Sequence, residues 1–446
     1  MDRIELSRAK RFKGEFTPPP DKSISHRAVI FSCLSKGKSF IKNFLRAEDT
    51  ISTLNAMRKL GIEIQENVIL PHPPLANGGE GGYSGELIIN GCGLHGLKEP
   101  FDIIDCGNSG TTIRLLSGLL SGNPFFSVLT GDESLRYRPM SRIILPLRQM
   151  GAKIMAREED KYPPVAIRGG RLKAIKYSLP VASAQVKSAI MLAGLYAEGE
   201  TEVIEPFKSR DHTERMLSAF GAEINIEGLH IKIKKGSELK GLEIYVPGDF
   251  SSAAFFIVGA VLIKDSEVSI SYVGLNPTRT GLLSVLKEMG VNVAISSMRD
   301  VSGEPVADIY IKGGVEIKPV HIKGEKIPGM IDEFPVLCVA ATQADGITTF
   351  RGAEELRVKE SDRIRAMATE LRKMGAEIEE FRDGLDIRGR TNLRGAVVES
   401  YGDHRIAMAL SIAALVADGK TTINGISSVN ISFPGFFNIL KILTKK

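Results

Sequence analysis

One short phrase recurs five times in this chain: Met57–Ile64 (MRKLGIEI), Leu147–Ile154 (LRQMGAKI), Leu217–Ile224 (LSAFGAEI), Leu286–Val293 (LKEMGVNV) and Leu371–Ile378 (LRKMGAEI). Each reads as the last turn of a helix, a glycine free to take the left-handed stop conformation, and the start of a strand. Successive glycines lie 90, 70, 69 and 85 residues apart, which describes one helix–strand unit reused with insertions.

A second element alternates with the first. Six segments open on glycine or small polar residues and turn into apolar helical runs: Asp21–Leu34, Gly107–Leu120, Val181–Leu195, Gly248–Gly259, Gly329–Ala341 and Gly402–Leu415. Helix starts of this kind leave backbone N–H groups facing outward, where an anion can take them. Any single one is equally an ordinary capped helix; six together suggest a cleft for a highly anionic ligand. Three fall in each half of the chain, so two similar lobes of three units are expected, with a junction near 235–247. At 446 residues the chain exceeds what one core usually serves. Short strands are expected at Leu87–Ile89, Phe126–Leu129, Val203–Ile204, His230–Ile233, Val268–Ser271, Ile309–Ile311 and Thr348–Phe350. The stretch 71–85 (PHPPLANGGEGGYSG) reads as a surface loop without a chemical role.

Composition excludes several functions. A net charge of +5 from 58 basic and 53 acidic residues, with no long basic run, gives no nucleic-acid signature. Cys33, Cys92, Cys106 and Cys338 show no metal-ligand spacing, so no metal is expected, and four cysteines in this length fit a reducing cytoplasm. No apolar stretch follows the basic N-terminus, and the longest apolar run, Ala253–Ile263, is too short to span a membrane.

The chemistry-bearing residues cluster at the helix openings. In Asp21-Lys22-Ser23-Ile24-Ser25-His26-Arg27, Ser23 and Arg27 share a helical face, and Lys22 sits at the positive helix end. A solvated basic turn is the alternative. In Asn108-Ser109-Gly110-Thr111-Thr112-Ile113-Arg114, Gly110 permits close backbone approach, while Asn108 and the threonines could be plain caps; the Gly-Lys-Ser/Thr ending of a triphosphate loop is missing. Arg136 and Arg138 in GDESLRYRP, Ser183-Ala184-Gln185 with Lys187, and Ser209-Arg210-Asp211-His212 offer the planar donors and hydroxyls that recognise carboxylate or phosphate. Val358-Lys359-Glu360-Ser361-Asp362-Arg363 is the densest charged cluster, and Asp403-His404-Arg405 precedes an apolar helix. Asp332 and Glu333 interrupt another helix entrance, where either could be an ordinary first-turn acid.

Six motifs, PPPDKSISHRA (18–28), GNSGTTIR (107–114), GDESLRYRP (131–139), SAQVKSA (183–189), RVKESDRI (357–364) and GDHRIAMA (402–409), resemble those of the 5-enolpyruvylshikimate-3-phosphate synthase family. The resemblance implies an α/β, two-lobed enolpyruvyltransferase fold, each lobe three βαβαββ units with buried parallel helices, akin to an inverse α/β barrel. One lobe would be 21–240, binding mainly shikimate 3-phosphate. The other would be 1–20 plus 241–446, supplying proton-transfer groups and phosphoenolpyruvate-binding arginines. It implies transfer of the enolpyruvyl group of phosphoenolpyruvate to the 5-hydroxyl of shikimate 3-phosphate, in chorismate and aromatic amino acid biosynthesis, without cofactor or metal. By the same resemblance, Lys22, Ser23, Arg27, Ser183, Ala184, Gln185, Ser209, Arg210, Asp332 and Lys359 would bind shikimate 3-phosphate. Lys22, Asn108, Gly110, Arg138, Gln185, Arg363 and Arg405 would bind phosphoenolpyruvate. Asp332, Glu360 and Lys22 would be catalytic.

This chain departs from many relatives in carrying Ile431 where some place a lysine, Ala184 where many have a second serine, and His212 in place of tyrosine. These departures suggest a divergent bacterial or archaeal-like branch. Gly110 is retained where some glyphosate-insensitive relatives carry alanine, so inhibition by glyphosate is expected. A cytoplasmic monomer acting on small molecules is expected, with neither nucleic acid nor membrane as partner. A sister enzyme acting on UDP-N-acetylglucosamine would open its first helix with Lys-Asn and carry a mobile-loop cysteine; this chain has Lys22-Ser23 and no cysteine between Cys106 and Cys338. A silent binding protein would not need Lys22, Asp332, Glu360, Arg363 and Arg405 together. An RNA-cyclase-like protein would need a nucleotide-accepting histidine and a basic surface, and neither is evident.

Overall fold

In the computed structural model, which describes residues 2–67, 84–236 and 238–445, the five repeated phrases are helix ends. Gly61, Gly151, Gly221, Gly290 and Gly375 take φ values of 88, 102, 98, 89 and 94°, a region where a Cβ meets the following carbonyl. The chain then enters strands Ile64–Asn67, Lys153–Ala156, Ile224–Glu227, Ala294–Val301 and Glu377–Phe381. Most of the loop expected at 71–85 lies outside the described residues, although Ser84 and Gly85 already belong to strand Ser84–Cys92.

The six apolar runs form helices α1 (Lys22–Leu34), α2 (Gly110–Ser121), α3 (Ala184–Gly194), α4 (Phe250–Leu262), α5 (Phe334–Gln343) and α6 (His404–Val416). They are apolar on nearly every face and buried almost throughout, as helices enclosed by sheets must be. Around them stand six sheets among the described residues, five of four strands and one of three. Each follows one plan. In the second unit, leading strand Ile104–Asp105 runs parallel to Phe126–Thr130. That strand pairs antiparallel with Tyr162–Arg168, which pairs antiparallel with the outermost strand, Lys153–Ala156.

The two lobes exchange their leading strands. Lys13–Phe16 precedes α1 in sequence, yet pairs with Glu267–Gly274 beyond α4. Glu243–Tyr245 precedes α4, yet pairs with Lys36–Leu45 beyond α1. The sixth unit has no copy of the repeated phrase because its sheet is completed by Arg3–Ser7, antiparallel to Lys420–Asn424. Two separate cores result. One runs from Ile24 to Val246. The other joins Phe12 and Phe16 to residues from Phe250 to Leu443. Phe256 anchors this return of the N-terminal segment, its ring 4.6 Å from Phe16 and 5.2 Å from Phe436. All seven strands expected from the sequence fall within observed strands. No helix among the described residues is long and apolar enough to cross a membrane.

Candidate active site

All six buried helices bring their N-terminal ends to one cleft between the lobes. Its lining includes Lys22 and Ser23 from α1, Gly110 and Thr111 from α2, Ala184 and Gln185 from α3, Asp249 before α4, Asp332 before α5 and Arg405 on α6. Free helix-end N–H groups supply less of the anion attraction than the sequence suggests. Asp21 accepts from Ile24 N at 2.9 Å, Ser109 from Thr112 N at 3.1 Å, Asp249 from Ser251 N at 2.8 Å and Asp403 from Arg405 N at 2.9 Å. Helix dipoles still point inward, but side-chain cations carry most of the field.

Of the sequence-selected residues, Lys22, Ser23, Arg27, Gly110, Arg138, Ser183, Ala184, Gln185, Ser209, Arg210, Asp332, Lys359, Glu360 and Arg405 line this cleft directly. Asn108 and Arg363 stand just behind it. Arg138 donates to Asn108 at 2.6 Å, and Arg363 donates to Asp332 at 3.1 Å and to Glu360 at 2.7 Å. Ser209 directs both its N–H and its hydroxyl at Glu205, so its free lone pairs rather than its proton face outward. Arg136 points elsewhere, donating to the Asp132 carbonyl. Ile431, at the position where some relatives have lysine, is not among the lining residues.

Two carboxylates hold the cations in place. Asp332 takes Arg210 at 2.6 Å, Arg363 at 3.1 Å and Arg405 at 3.1 Å. Burial alone would push its carboxyl up, but Arg210, Arg405 and Arg363 outweigh burial and keep it well below the usual range. Glu360 behaves likewise: it bridges Arg138 at 3.3 Å and Arg363 at 2.7 Å, and these guanidiniums overcome its burial. Lys22 donates to Asp49 at 3.0 Å. Burial pushes the Lys359 ammonium down and the Arg27 guanidinium to about 10, as expected of cations packed among other cations.

The structure also brings in residues that the sequence did not single out. Asp49, Arg114, Arg142, Glu355 and Arg279 line the cleft. Neither ring nitrogen of buried His404 has a hydrogen-bond partner among the described residues. Arg114 was visible only as the end of GNSGTTIR, and a lone arginine on a helix carries no signal by itself. Glu333 is fully buried and accepts from Ser251, so it is no ordinary first-turn acid.

Two expected outcomes arise from this geometry. A Cβ on Gly110 would sit 2.9 Å from Arg114 Nη1 and 3.1 Å from Arg138 Nη1. Gly110→Ala must therefore displace guanidiniums at the anion site. Its KM for the ligand held by Arg138 is expected to rise by about tenfold, roughly the effect of disturbing one charge-assisted bond, with the other substrate's KM nearly unchanged, in steady-state kinetics.

The second concerns acid. Buried His26 and His404 have pKa values depressed first by burial and then by neighbouring cations, so the unfolded chain binds protons that the folded one refuses. Their contribution is present above the unfolded value near 6.5 and is lost as pH falls below it. Asp332 and Glu360, also depressed, add a further loss below about pH 4, while the raised Glu333 and Glu214 act in the opposite sense. The melting temperature is expected to drop in two stages, from pH 7 to 5 and again below 4; a flat profile would contradict this assignment.

Two lobes of three units, closing a cation-lined cleft, define an enolpyruvyl transferase architecture. The enolpyruvyl transferase NikO from Streptomyces tendae shares this fold at 16% identity, with a TM-score of 0.77 over 99% of this chain and 97% of that one. The chain belongs to the EPSP synthase (3-phosphoshikimate 1-carboxyvinyltransferase) family, whose model matches residues 6–440. A 3-phosphoshikimate 1-carboxyvinyltransferase from Thermodesulfovibrio yellowstonii is 56% identical over 446 residues, the whole of both chains. One from Syntrophomonas wolfei is 52% identical over 98% of this chain and 99% of its own. The solved structure of EPSP synthase from Acinetobacter baumannii is 47% identical, with a TM-score of 0.83 over 99% of this chain and 98% of that one.

Proposed function

We propose that this protein transfers the enolpyruvyl group of phosphoenolpyruvate to the 5-hydroxyl of shikimate 3-phosphate, releasing phosphate. The observation that carries the reading is a single cleft lined by Lys22, Arg27, Arg138, Arg210 and Arg405 together with the two carboxylates Asp332 and Glu360, which Arg363 holds from behind. Two polyanionic substrates need such a field, and a reaction with two proton transfers needs such acids.

The first lobe, whose core runs past the expected boundary at 240 to Val246, holds mainly shikimate 3-phosphate. Ser183, Ser209 and Arg210 receive its phosphate, Ala184 and Gln185 its ring, and Ser23, Arg27 and Lys359 its remaining oxygens. The second lobe, made of the N-terminal segment and the residues after Val246, brings Arg363 and Arg405 onto phosphoenolpyruvate, which Lys22, Asn108, Gly110, Arg138 and Gln185 meet from the opposite wall. With Ala184 lacking a hydroxyl and Ile431 outside the cleft, Arg114 and Arg142 are the cations at hand to complete the clamp.

Protonation of the methylene carbon leaves a cationic centre at C2. The 5-hydroxyl attacks it as its proton passes to Asp332, giving a tetrahedral phosphate ketal. Loss of a methyl proton with C–O cleavage then expels phosphate and regenerates the double bond. Glu360 and Lys22 are placed to deliver and retrieve the proton at carbon. The arginines keep Asp332 and Glu360 ionised. Incoming phosphate and carboxylate groups take over those guanidiniums, so both carboxyls become stronger bases when substrate is bound.

On this reading the enzyme acts as a cytoplasmic monomer on two small-molecule substrates. Glyphosate, a small phosphonate anion, competes at the phosphoenolpyruvate end beside Gly110. The decisive experiment measures phosphate release from shikimate 3-phosphate and phosphoenolpyruvate without added metal. A parallel reaction substitutes UDP-N-acetylglucosamine. Release in the first alone, with the enolpyruvyl product identified by mass, is expected; release only in the second would overturn the reading.

A further inference from the structure

Asn276, Thr278 and Arg279 form a turn after strand Glu267–Gly274 of the second core, and it packs against the first lobe. Asn276 Nδ2 donates to Asp211 at 2.7 Å and to Glu304 at 2.9 Å. Thr278 Oγ1 accepts from Asp211 N at 3.3 Å, and Glu304 pairs with His212 Nδ1 at 2.7 Å. Asp211 and His212 follow directly on Ser209 and Arg210. At the far end of the turn, Arg279 spreads its guanidinium over the caps of two helices. It donates to Asp21 at 2.8 Å, to Asp249 at 3.0 Å and to Ser251 at 2.7 Å, while His212 Nε2 lies 3.4 Å away. Asp21 is the cap next to Lys22.

All these groups are buried. Burying so many charges is a weak route to stability, since desolvation offsets most of the attraction. Fixing geometry is the better use. A path of side-chain bonds joined by peptide links runs from Arg210 and its neighbour Asp211 across to Asn276 and Thr278, along the turn to Arg279, and back across to Asp21 and its neighbour Lys22, so it crosses between lobes twice. Asn276 and Thr278 are not among the residues lining the cleft.

Resting on the function proposed above, we infer that the Asn276–Arg279 turn is a positioning device. It senses the seating of the phosphate-bearing substrate at Ser209–Arg210 and sets Lys22 and the opposing lobe for phosphoenolpyruvate. Coupling of this kind requires that the two ligands sense each other through a shared arrangement of the lobes.

The test uses Arg279→Lys, which keeps charge but loses the fork spanning both caps, and Asn276→Ala, which leaves Arg279 intact. Calorimetry without phosphoenolpyruvate gives the Kd for shikimate 3-phosphate, and steady-state kinetics at saturating shikimate 3-phosphate gives kcat and the KM for phosphoenolpyruvate. The Kd is expected within about threefold of wild type, with KM rising and kcat falling by about tenfold each, a coupling of ordinary allosteric size. Should Arg279→Lys fail to fold, Asn276→Ala decides. Equal weakening of Kd and KM, as general loosening would give, overturns the inference, as does a change below about twofold in all three, short of the smallest usual coupling. Absence of product from the wild type would instead overturn the reading of the site and the turn's assignment with it.

Discussion

Turnover of the Arg405→Ala and Lys22→Ala variants is expected to fall by about a thousandfold, the upper range for removing one preorganised donor from a buried anionic transition state. Among the described residues the Arg405 guanidinium bonds only to Asp332, through a carboxylate oxygen at 3.1 Å and the carbonyl at 3.4 Å, so its loss leaves the α6 core untouched. Asp332 keeps Arg210 and Arg363. Lys22 similarly bonds through its side chain to Asp49 alone among the described residues. Both variants should therefore melt near the wild-type temperature while releasing little phosphate. Near-normal release from both would sink the charge clamp.

Asp332→Asn should separate binding from chemistry. The amide cannot accept the 5-hydroxyl proton, and losing a positioned base costs about 10²- to 10⁴-fold in kcat. The same change removes a negative charge that occupies Arg210, Arg363 and Arg405. An incoming anion then has less to displace, so the KM for phosphoenolpyruvate should hold steady or fall. The acid limb of the kcat profile, which belongs to protonation of this carboxylate in the bound state, should disappear. Steady-state kinetics across pH 5 to 9 reads both quantities. A rise in KM with kcat unchanged would assign Asp332 to binding alone.

How much of this was readable in the residues depends on range. The left-handed glycines are local, because only their own backbone demands them, and all five stand where the phrase placed them. The six buried helices were legible because an all-apolar helix has no solvent face. The exchange of leading strands was not. Lys13–Phe16 and Glu243–Tyr245 look like any short strand, and their partners lie roughly 200 residues or more away. In the cleft, motifs dense in charge announced themselves, whereas Asp49, Arg142 and Arg279 are single residues whose meaning exists only once distant helices converge. His404 was visible beside Arg405, yet its unpartnered ring nitrogens are a property of the packed interior. Ser209 shows the reverse case: its place at the cleft follows its motif, but its bonds to Glu205 could come only from the folded loop.

The way the chain shares out its two cores also bears on how it is made. The first core is complete once residue 246 has left the ribosome, because all its strands and helices lie upstream. The second must wait. Among the described residues Arg3–Ser7 pairs only with Lys420–Asn424, and Phe12 and Phe16 pack among residues from Phe250 onward. Lys13–Phe16 thus has no strand partner until Glu267–Gly274 emerges, and Arg3–Ser7 none until Lys420–Asn424, while the lobe between them is already folding as a unit. Its strands are short and charged, Arg3–Ser7 carrying Arg3 and Glu5 and Lys13–Phe16 carrying Lys13 and Glu15, which keeps such a waiting edge from pairing with the wrong chain. The pairing of Arg3–Ser7 with Lys420–Asn424 therefore closes the longest loop of the second lobe and waits for its partner longer than any pairing in the first.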